Sequence, residues 1–454
     1  MDIGMSESFD RRDFLRIAGI AGTSLVVGDV QFAAGEPTTR PRDDADPVMS
    51  SFAAPKLDVV RVGVVGVGKR GPAHVNNLVK LDRVEIKAIC DLDSAHAARA
   101  GELVTKAGKP TPTLYTNGDH DFERMNDRDD LDLIVNATPW DWHVPIALDA
   151  MRKGKHAFIE VPAATTVNDC WALVETSEKT RRHCVMMENC CYGASELMVL
   201  NMCRAGLFGE LLHGEAGYLH DLVGNKFGGK NEVNGKWRLQ PSKKFNGNMY
   251  PTHGLGPVAQ YMGINRGDRF DYLVSMSSPS RGINLKATEL FGPDDPRAKF
   301  HYALGDVNTS IIKTASGRTI MLEHQTSNPR PYSRINTIVG TKGLFCGYLD
   351  RIAFSDSWAD LAPLAAKYEH PLWTRHKAKA LNGGHGGMDY VMMVRLIDCL
   401  HDGSPMDMCV YDAAAWSCIV ELSIKSVAAR SAAVDFPDFT RGAWRASAPL
   451  GIVS

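Results

Sequence analysis

The chain has 454 residues, 44 % of them hydrophobic and 23 % charged, with a formal net charge of -2. That is enough for two domains with sizeable cores in an ordinary soluble composition. So even a balance of charge gives no global attraction to nucleic acid or to an anionic membrane, and small-molecule chemistry is the expectation.

Residues 1–34 read as an export signal. Arg11-Arg12-Asp13-Phe14-Leu15-Arg16 precedes an apolar run from Ile17 to Val27, too short to be an ordinary transmembrane helix. Paired arginines followed by Phe-Leu resemble a twin-arginine signal. This predicts the twin-arginine export machinery as a partner, a periplasmic or otherwise exported location, and no stable membrane anchor. Residues 35–57, rich in Pro, Thr, Asp and Ser, read as a linker. The ten cysteines show neither paired metal spacing nor a disulfide rhythm. Folding in a reducing cytosol before export predicts free thiols.

Residues 58–190 read as a dinucleotide-binding domain. Arg61 to Val65 is a buried strand that breaks into Gly66-x-Gly68-x-x-Gly71, a turn whose following helix offers its N-terminal amides to a pyrophosphate. Val84 to Cys90 is a second strand ending at Asp91, whose carboxylate suits ribose hydroxyls and repels a 2′-phosphate, favouring NAD over NADP. Then follow a helix from Ser94 to Ala107, a strand from Leu131 to Ala137, a helix from Val144 to Lys153 and a strand from His156 to Glu160. A helix from Val167 to Thr180 and a strand from Cys184 to Glu188 complete the alternation. Strand and helix in turn predict an α/β Rossmann fold, a doubly wound parallel sheet. Residues just past strand ends, Trp140 to His143, Glu160-Val161 and Asn189, then face the ligand crevice.

The rhythm changes over residues 191–454. After a helix from Ser195 to Ala205 come strand-like runs at 209–218, 270–276, 308–314, 319–324, 335–340 and 344–347, with no long helices between the later ones. They predict a C-terminal α+β substrate domain with an open, mostly antiparallel sheet. Helices from Met388 to Leu400 and from Tyr411 to Ala429 close the chain.

Trp142-His143-Val144-Pro145-Ile146-Ala147, Gly154-Lys155-His156 and a strand ending Glu160-x-Pro162 resemble the Gfo/Idh/MocA oxidoreductase family. The resemblance covers essentially everything after the linker. Dehydrogenases of that family carry Glu-Lys-Pro at this turn, whereas Val161 stands at the middle position here. A valine cannot polarise a hydroxyl or accept its proton. A branch that tolerates Glu-Val-Pro is glycoside hydrolase family 109, the NAD-dependent α-N-acetylgalactosaminidases. The runs 187–192, 247–257 and 383–389, above all Tyr250-Pro251-Thr252-His253-Gly254-Leu255-Gly256-Pro257, are similar to that branch.

The resemblance implies that Lys69 and Arg70 lie on the pyrophosphate turn with Gly66, Gly68 and Gly71, and that Asp91 holds the adenosine ribose. Trp140, Asp141, Trp142, His143, Glu160, Val161 and Asn189 would border the cofactor. Tyr250, Pro251, Thr252 and His253 would sit between nicotinamide and sugar, and Tyr218, Arg238, Tyr250 and Tyr332 would touch the substrate. The implied chemistry is transient oxidation at C3, elimination, water addition and re-reduction with retention. His253 and Tyr250 are the catalytic candidates, because an imidazole titrates near neutrality and a phenol relays protons.

His385 and Asp389 lie four apart, a spacing read here as helix capping or positioning. Zinc on His143, His253 and His385 lacks any supporting spacing, so no metal is expected. A periplasmic sugar oxidoreductase of the glucose-fructose type and a non-catalytic NAD-bound sugar sensor are the alternatives. Related folds pair through the open sheet's exposed face, which leaves a homo-oligomer open.

Overall fold

The computed structural model describes residues 39–452 except 42, 44, 45 and 229–235. The stretch read as an export signal, with Arg11 and Arg12, lies outside the described residues. Among these, the strands gather into two sheets.

The first sheet is built from β1 (Val60–Val65), β2 (Val84–Cys90), β3 (Thr113–Tyr115), β4 (Leu133–Asn136), β5 (His156–Ile159) and β6 (Cys184–Met186). All pairs are parallel, in the order β3-β2-β1-β4-β5-β6. Strands covered on both faces must be apolar along their whole length, and Val60, Val62 and Val64 are fully buried beside Leu133 and Val135. The order reverses between β1 and β4, which opens a crevice at the carboxyl ends of those strands. The Rossmann expectation holds.

The second sheet contains β7 (Leu211–Leu219), β8 (Phe270–Ser277), β9 (Val307–Thr314), β10 (Thr319–Gln325), β11 (Thr337–Gly340), β12 (Gly343–Cys346), β13 (Arg351–Ala353), β14 (Trp358–Ala359) and β15 (Val434–Asp435). Its order is β14-β13-β12-β11-β7-β10-β9-β8-β15, antiparallel throughout except for the β7–β10 pair. No helix of the described residues is long and apolar enough to cross a membrane.

Three expectations change. A helix does intervene between the later strands, at Gly282–Phe291, and Thr252–Tyr261 between β7 and β8 is a helix that had not been read. The last helix divides into Val410–Ser417 and Ile419–Ala428, meeting at Cys418. There Ser417 Oγ accepts the amide of Ala163 and Cys418 Sγ donates to the Ala415 carbonyl. The stretch read as a linker packs onto the fold, with Arg40 Nη2 donating to Asn168 Oδ1. Its Met49 and Ala54 are buried, the Met49 amide donates to Tyr411 Oη, and the Leu57 amide donates to the Leu400 carbonyl.

All ten cysteines are free thiols.

A buried histidine pair fastens this strap. The Ala54 amide donates to His183 Nε2, the His183 amide donates to His156 Nδ1, and the two ring centroids lie 5.1 Å apart. A ring nitrogen that accepts must be unprotonated, and burial holds His183 down to about 4 and His156 well below its ordinary range. On unfolding, each histidine returns to about 6.5 and takes up a proton that the folded chain refuses. Stability is therefore full above about pH 6.5 and falls as pH drops toward 4. Urea unfolding midpoints across that window will decline, and His183→Gln will flatten the decline.

Candidate active site

The glycine turn leads from β1 into the helix Gly71–Leu78. Gly66 has φ +82°, and a Cβ there would meet the Thr138 amide nitrogen at 2.8 Å; at Gly71 a Cβ would lie 2.2 Å from the Gly66 carbonyl oxygen. No side chain caps this helix and no acid occupies its first turn, which leaves its amides for an anionic guest. Gly68 lies in the turn, and Lys69 is exposed. Asp91, at the end of β2, accepts the Val67 amide at 2.7 Å and the Asp93 amide at 2.9 Å. The turn and the ribose acid are thus tied together, and the residues present fit a dinucleotide. Gly71→Ala should cost about 1–3 kcal/mol by overpacking against backbone and weaken NAD about tenfold or more, read by fluorescence titration.

Arg70, on the turn before the helix Gly71–Leu78, and Glu160 are bonded to one another. Arg70 Nε donates to Glu160 Oε1 at 2.6 Å, and its two terminal nitrogens reach Asp389 at 2.5 and 2.9 Å. His74 Nε2 lies 2.7 Å from Glu160 Oε1, His385 Nδ1 lies 2.8 Å from Asp389 Oδ2, and Asn189 Nδ2 donates to Asp389 Oδ1 at 2.6 Å. Burial alone would raise both carboxyls, but Arg70 and the histidines outweigh it and hold Glu160 and Asp389 far below the usual range. His385 sits in a short 3-10 turn before the helix Met388–Asp402, so its pairing with Asp389 bridges that junction. This is the positioning role read from the sequence.

The aromatic motif after β4 divides. Trp140 faces the second sheet, stacked on Tyr250 at 6.0 Å and edge-on to Trp237 at 4.9 Å, with its Nε1 donating to the Val161 carbonyl. Val161 itself is buried. Trp142 turns toward His120 and Phe122 and packs on the Rossmann core. Its expected place beside the cofactor gives way to packing. Asp141 between them is exposed. His143 is likewise corrected from cofactor border to bracket. It is buried, with Nδ1 2.8 Å from the Pro162 carbonyl and Nε2 2.9 Å from that of Thr138, and burial lowers its pKa against the pull of those carbonyls.

Tyr250 and Pro251 lead into the helix Thr252–Tyr261. Glycine is a poor helix former, and here it is needed for close approach. A Cβ at Gly254 would fall 2.3 Å from the backbone nitrogen of Gly217 on β7, and one at Gly256 would meet Cys191 and Glu188 at about 3 Å. The helix is thereby pressed onto the sheet, and His253 on its first turn is brought to the end of β6.

There His253 Nδ1 meets Glu188 Oε1 at 2.7 Å. Glu188 is completely buried; desolvation raises its pKa, but the charge and hydrogen bond of His253 and the Cys190 amide outweigh that and leave it below the ordinary range. An ionised carboxylate only accepts, so Nδ1 carries the proton it shares with Glu188, and Nε2 is the nitrogen left free of that bond. Around the imidazole stand Tyr250 at 5.0 Å and Tyr218 at 5.4 Å between ring centroids. Burial raises the Tyr250 phenol well above its usual value, and its hydroxyl has no hydrogen bond among the described residues. It is suited to donating a proton rather than to resting as a base.

Tyr218 Oη pairs with His220 Nδ1 at 2.9 Å, and the half-exposed Tyr332 meets both rings edge-on. The Arg238 guanidinium lies over Trp140, Trp237 and Tyr250 at 4.7–5.5 Å and has no carboxylate partner among the described residues. The four predicted substrate residues thus share one aromatic box with His253.

Glu188 was not singled out from the sequence, although it ends a parallel strand as Glu160 does. Glu188, Cys190 and His253 bring ligand atoms within 4.8 Å of one another, a grouping that could hold a metal ion. The direct carboxylate–imidazole bond gives these atoms a use without one. The zinc set considered above is not assembled: His143 spends both nitrogens on carbonyls, and His385 is bound to Asp389.

A crevice with an uncapped helix and a ribose acid defines a nicotinamide-nucleotide-binding protein, and residues 60–188 match the oxidoreductase family with the NAD-binding Rossmann fold. Residues 192–446 match the C-terminal domain of glycosyl hydrolase 109. The chain is 49 % identical over 456 residues to a glycosyl hydrolase family 109 protein of Shewanella pealeana, covering 98 % of this chain and 99 % of that one. It is also 49 % identical to an alpha-N-acetylgalactosaminidase of Shewanella oneidensis, covering 98 % of each. Among solved structures, a levoglucosan dehydrogenase in complex with NADH and L-sorbose shares the fold, with a TM-score of 0.63 at 20 % identity over 84 % of this chain and all of that one. The chain belongs to glycosyl hydrolase family 109. It is a glycoside hydrolase built on an NAD-binding fold.

Proposed function

We propose that this enzyme is an α-N-acetylgalactosaminidase that works through transient oxidation of the sugar. The observation that carries the reading is the Glu188–His253 pair inside the aromatic box, reached from β6 of the NAD-binding sheet. The Shewanella oneidensis relative supports the choice of sugar.

Bound NAD supplies the reversible removal and return of a hydride at C3. The protein must handle the protons. His253, its Nδ1 proton held by Glu188, presents Nε2 to take a proton from the sugar and to return it. Tyr250, kept protonated by burial, relays the second proton. A 3-keto sugar has an acidified C2 proton, so its loss expels the glycosidic oxygen without the flanking pair of carboxylic acids used by most glycosidases. Trp140, Tyr218 and Tyr332 grip the apolar face of a sugar, and Arg238 supplies donors to its oxygens. Val161 stands where a dehydrogenase holds lysine, so no side chain at that position polarises the hydroxyl or takes its proton.

The cycle consumes no NAD, which suits an exported enzyme. The paired arginines at 11 and 12 support twin-arginine export to the periplasm. Purified enzyme should release p-nitrophenol from an aryl N-acetyl-α-galactosaminide with no acceptor sugar added. Release that needs a second free sugar as acceptor would favour the sugar oxidoreductase instead.

A further inference from the structure

Beside the aromatic box lies a cavity of about 30 Å³ lined by Lys226, Arg238, Ser242, His324 and Thr326, with Trp140 and Tyr250 on the sugar side. None of its lining residues is an acid. Lys226 is 4 % exposed, and among the described residues its Nζ has one hydrogen bond, to Ser242 Oγ at 2.9 Å; that hydroxyl passes its own proton to the Arg238 carbonyl. His324, on β10, is 2 % exposed with Nδ1 unpartnered. Asp306, the acid whose field reaches Lys226, gives its oxygens to the amides of Arg281 and Gly282.

Three basic side chains therefore converge with no counter-charge among the described residues. Burial and Arg238 push Lys226 down to about 7, and burial with Lys226 and Arg238 pushes His324 down to about 3. A buried cation left unpaired is costly, and a guest that brings negative charge relieves Lys226 and Arg238 together. The space is of the order of one water's share of liquid volume, about 30 Å³, which admits a halide or the charged tip of a larger group.

We propose that this cavity binds a compact anion, either free in solution or carried by the sugar as a sulfate ester or carboxylate. It would be a charge-reading subsite next to the sugar pocket.

The test uses the NAD-loaded enzyme in potassium gluconate at fixed ionic strength, gluconate being too large to enter. Bromide and sulfate should raise the melting temperature saturably. Lys226→Met should abolish that rise while melting in gluconate no lower than the parent, since it removes an unpaired buried charge. Should that variant not fold, Ser242→Ala should shift the anion midpoint several-fold upward. In a second arm, a sulfated and an unsulfated aryl N-acetyl-α-galactosaminide are compared. A KM about tenfold lower for the sulfated sugar, lost in Lys226→Met, identifies a substituent of the substrate. Equal KM with a saturable ion response identifies a free anion. The sugar arm rests on the proposed activity, whereas the melting arm needs no turnover, so the two readings fail separately. No Lys226-dependent response to bromide, sulfate or the sulfated sugar overturns the proposal.

Discussion

His253→Ala should lower kcat by about 10²–10⁴-fold, the range for loss of a positioned acid–base group, while leaving NAD bound and sugar affinity within a few-fold. The reason is geometric. The imidazole is fixed at Nδ1 by Glu188 and projects Nε2 among Tyr218 and Tyr250, whereas the nucleotide is held by the turn at 66–71 and Asp91, on other elements. Single-turnover kinetics and equilibrium binding together separate the two effects. A sugar sensor needs no proton transfer, and its ligand response would survive the substitution. Glu188→Gln should lose less than His253→Ala and shift the acid limb of the pH–rate profile, because an amide still accepts from Nδ1 but no longer stabilises the imidazolium.

Asp389→Ala should destabilise the fold by about 3–5 kcal/mol, the cost of removing one partner from a buried ion pair. Asp389 is completely buried and accepts from Arg70 through two nitrogens, from Asn189 and from His385. Its loss leaves Glu160 as the remaining carboxylate on the Arg70 guanidinium among the described residues. Because Arg70 is the residue before the helix Gly71–Leu78, the defect will also reach the NAD turn. A cycle with Arg70→Met should show coupling above about 1 kcal/mol, since the two side chains are in direct contact. Additive losses would mean that the network is only a set of neighbours.

What could be read from the sequence depended on the range over which the signal acts. The strand from Arg61, the glycine spacing and Asp91 are local patterns, and each sits where expected. The substrate sheet was legible from alternation, as at 307–314 and 319–325. The helix at 252–261 was hidden because Gly254 and Gly256 argue against a helix until Gly217 is seen 2.3 Å away. Arg70 pairs with residues 90 and 319 positions distant, and His253 with one 65 positions distant. Such pairs leave no periodicity in one chain. Glu188 was within reach, however, since the strand-end argument that marked Glu160 applies equally to the end of β6. Trp140 and Trp142 looked equivalent as motif residues, and only the short 3-10 turn at 140–142 separates their directions.

The central claim is that the glycosidic bond breaks by elimination from a transiently oxidised sugar. Hydrolysis of an aryl N-acetyl-α-galactosaminide in deuterium oxide tests it most directly, with the released sugar read by mass spectrometry and NMR. The account predicts deuterium at C2 of the product, a retained anomeric configuration and no net change in NAD. Product with its C2 proton wholly intact would contradict it and point to direct displacement at the anomeric carbon.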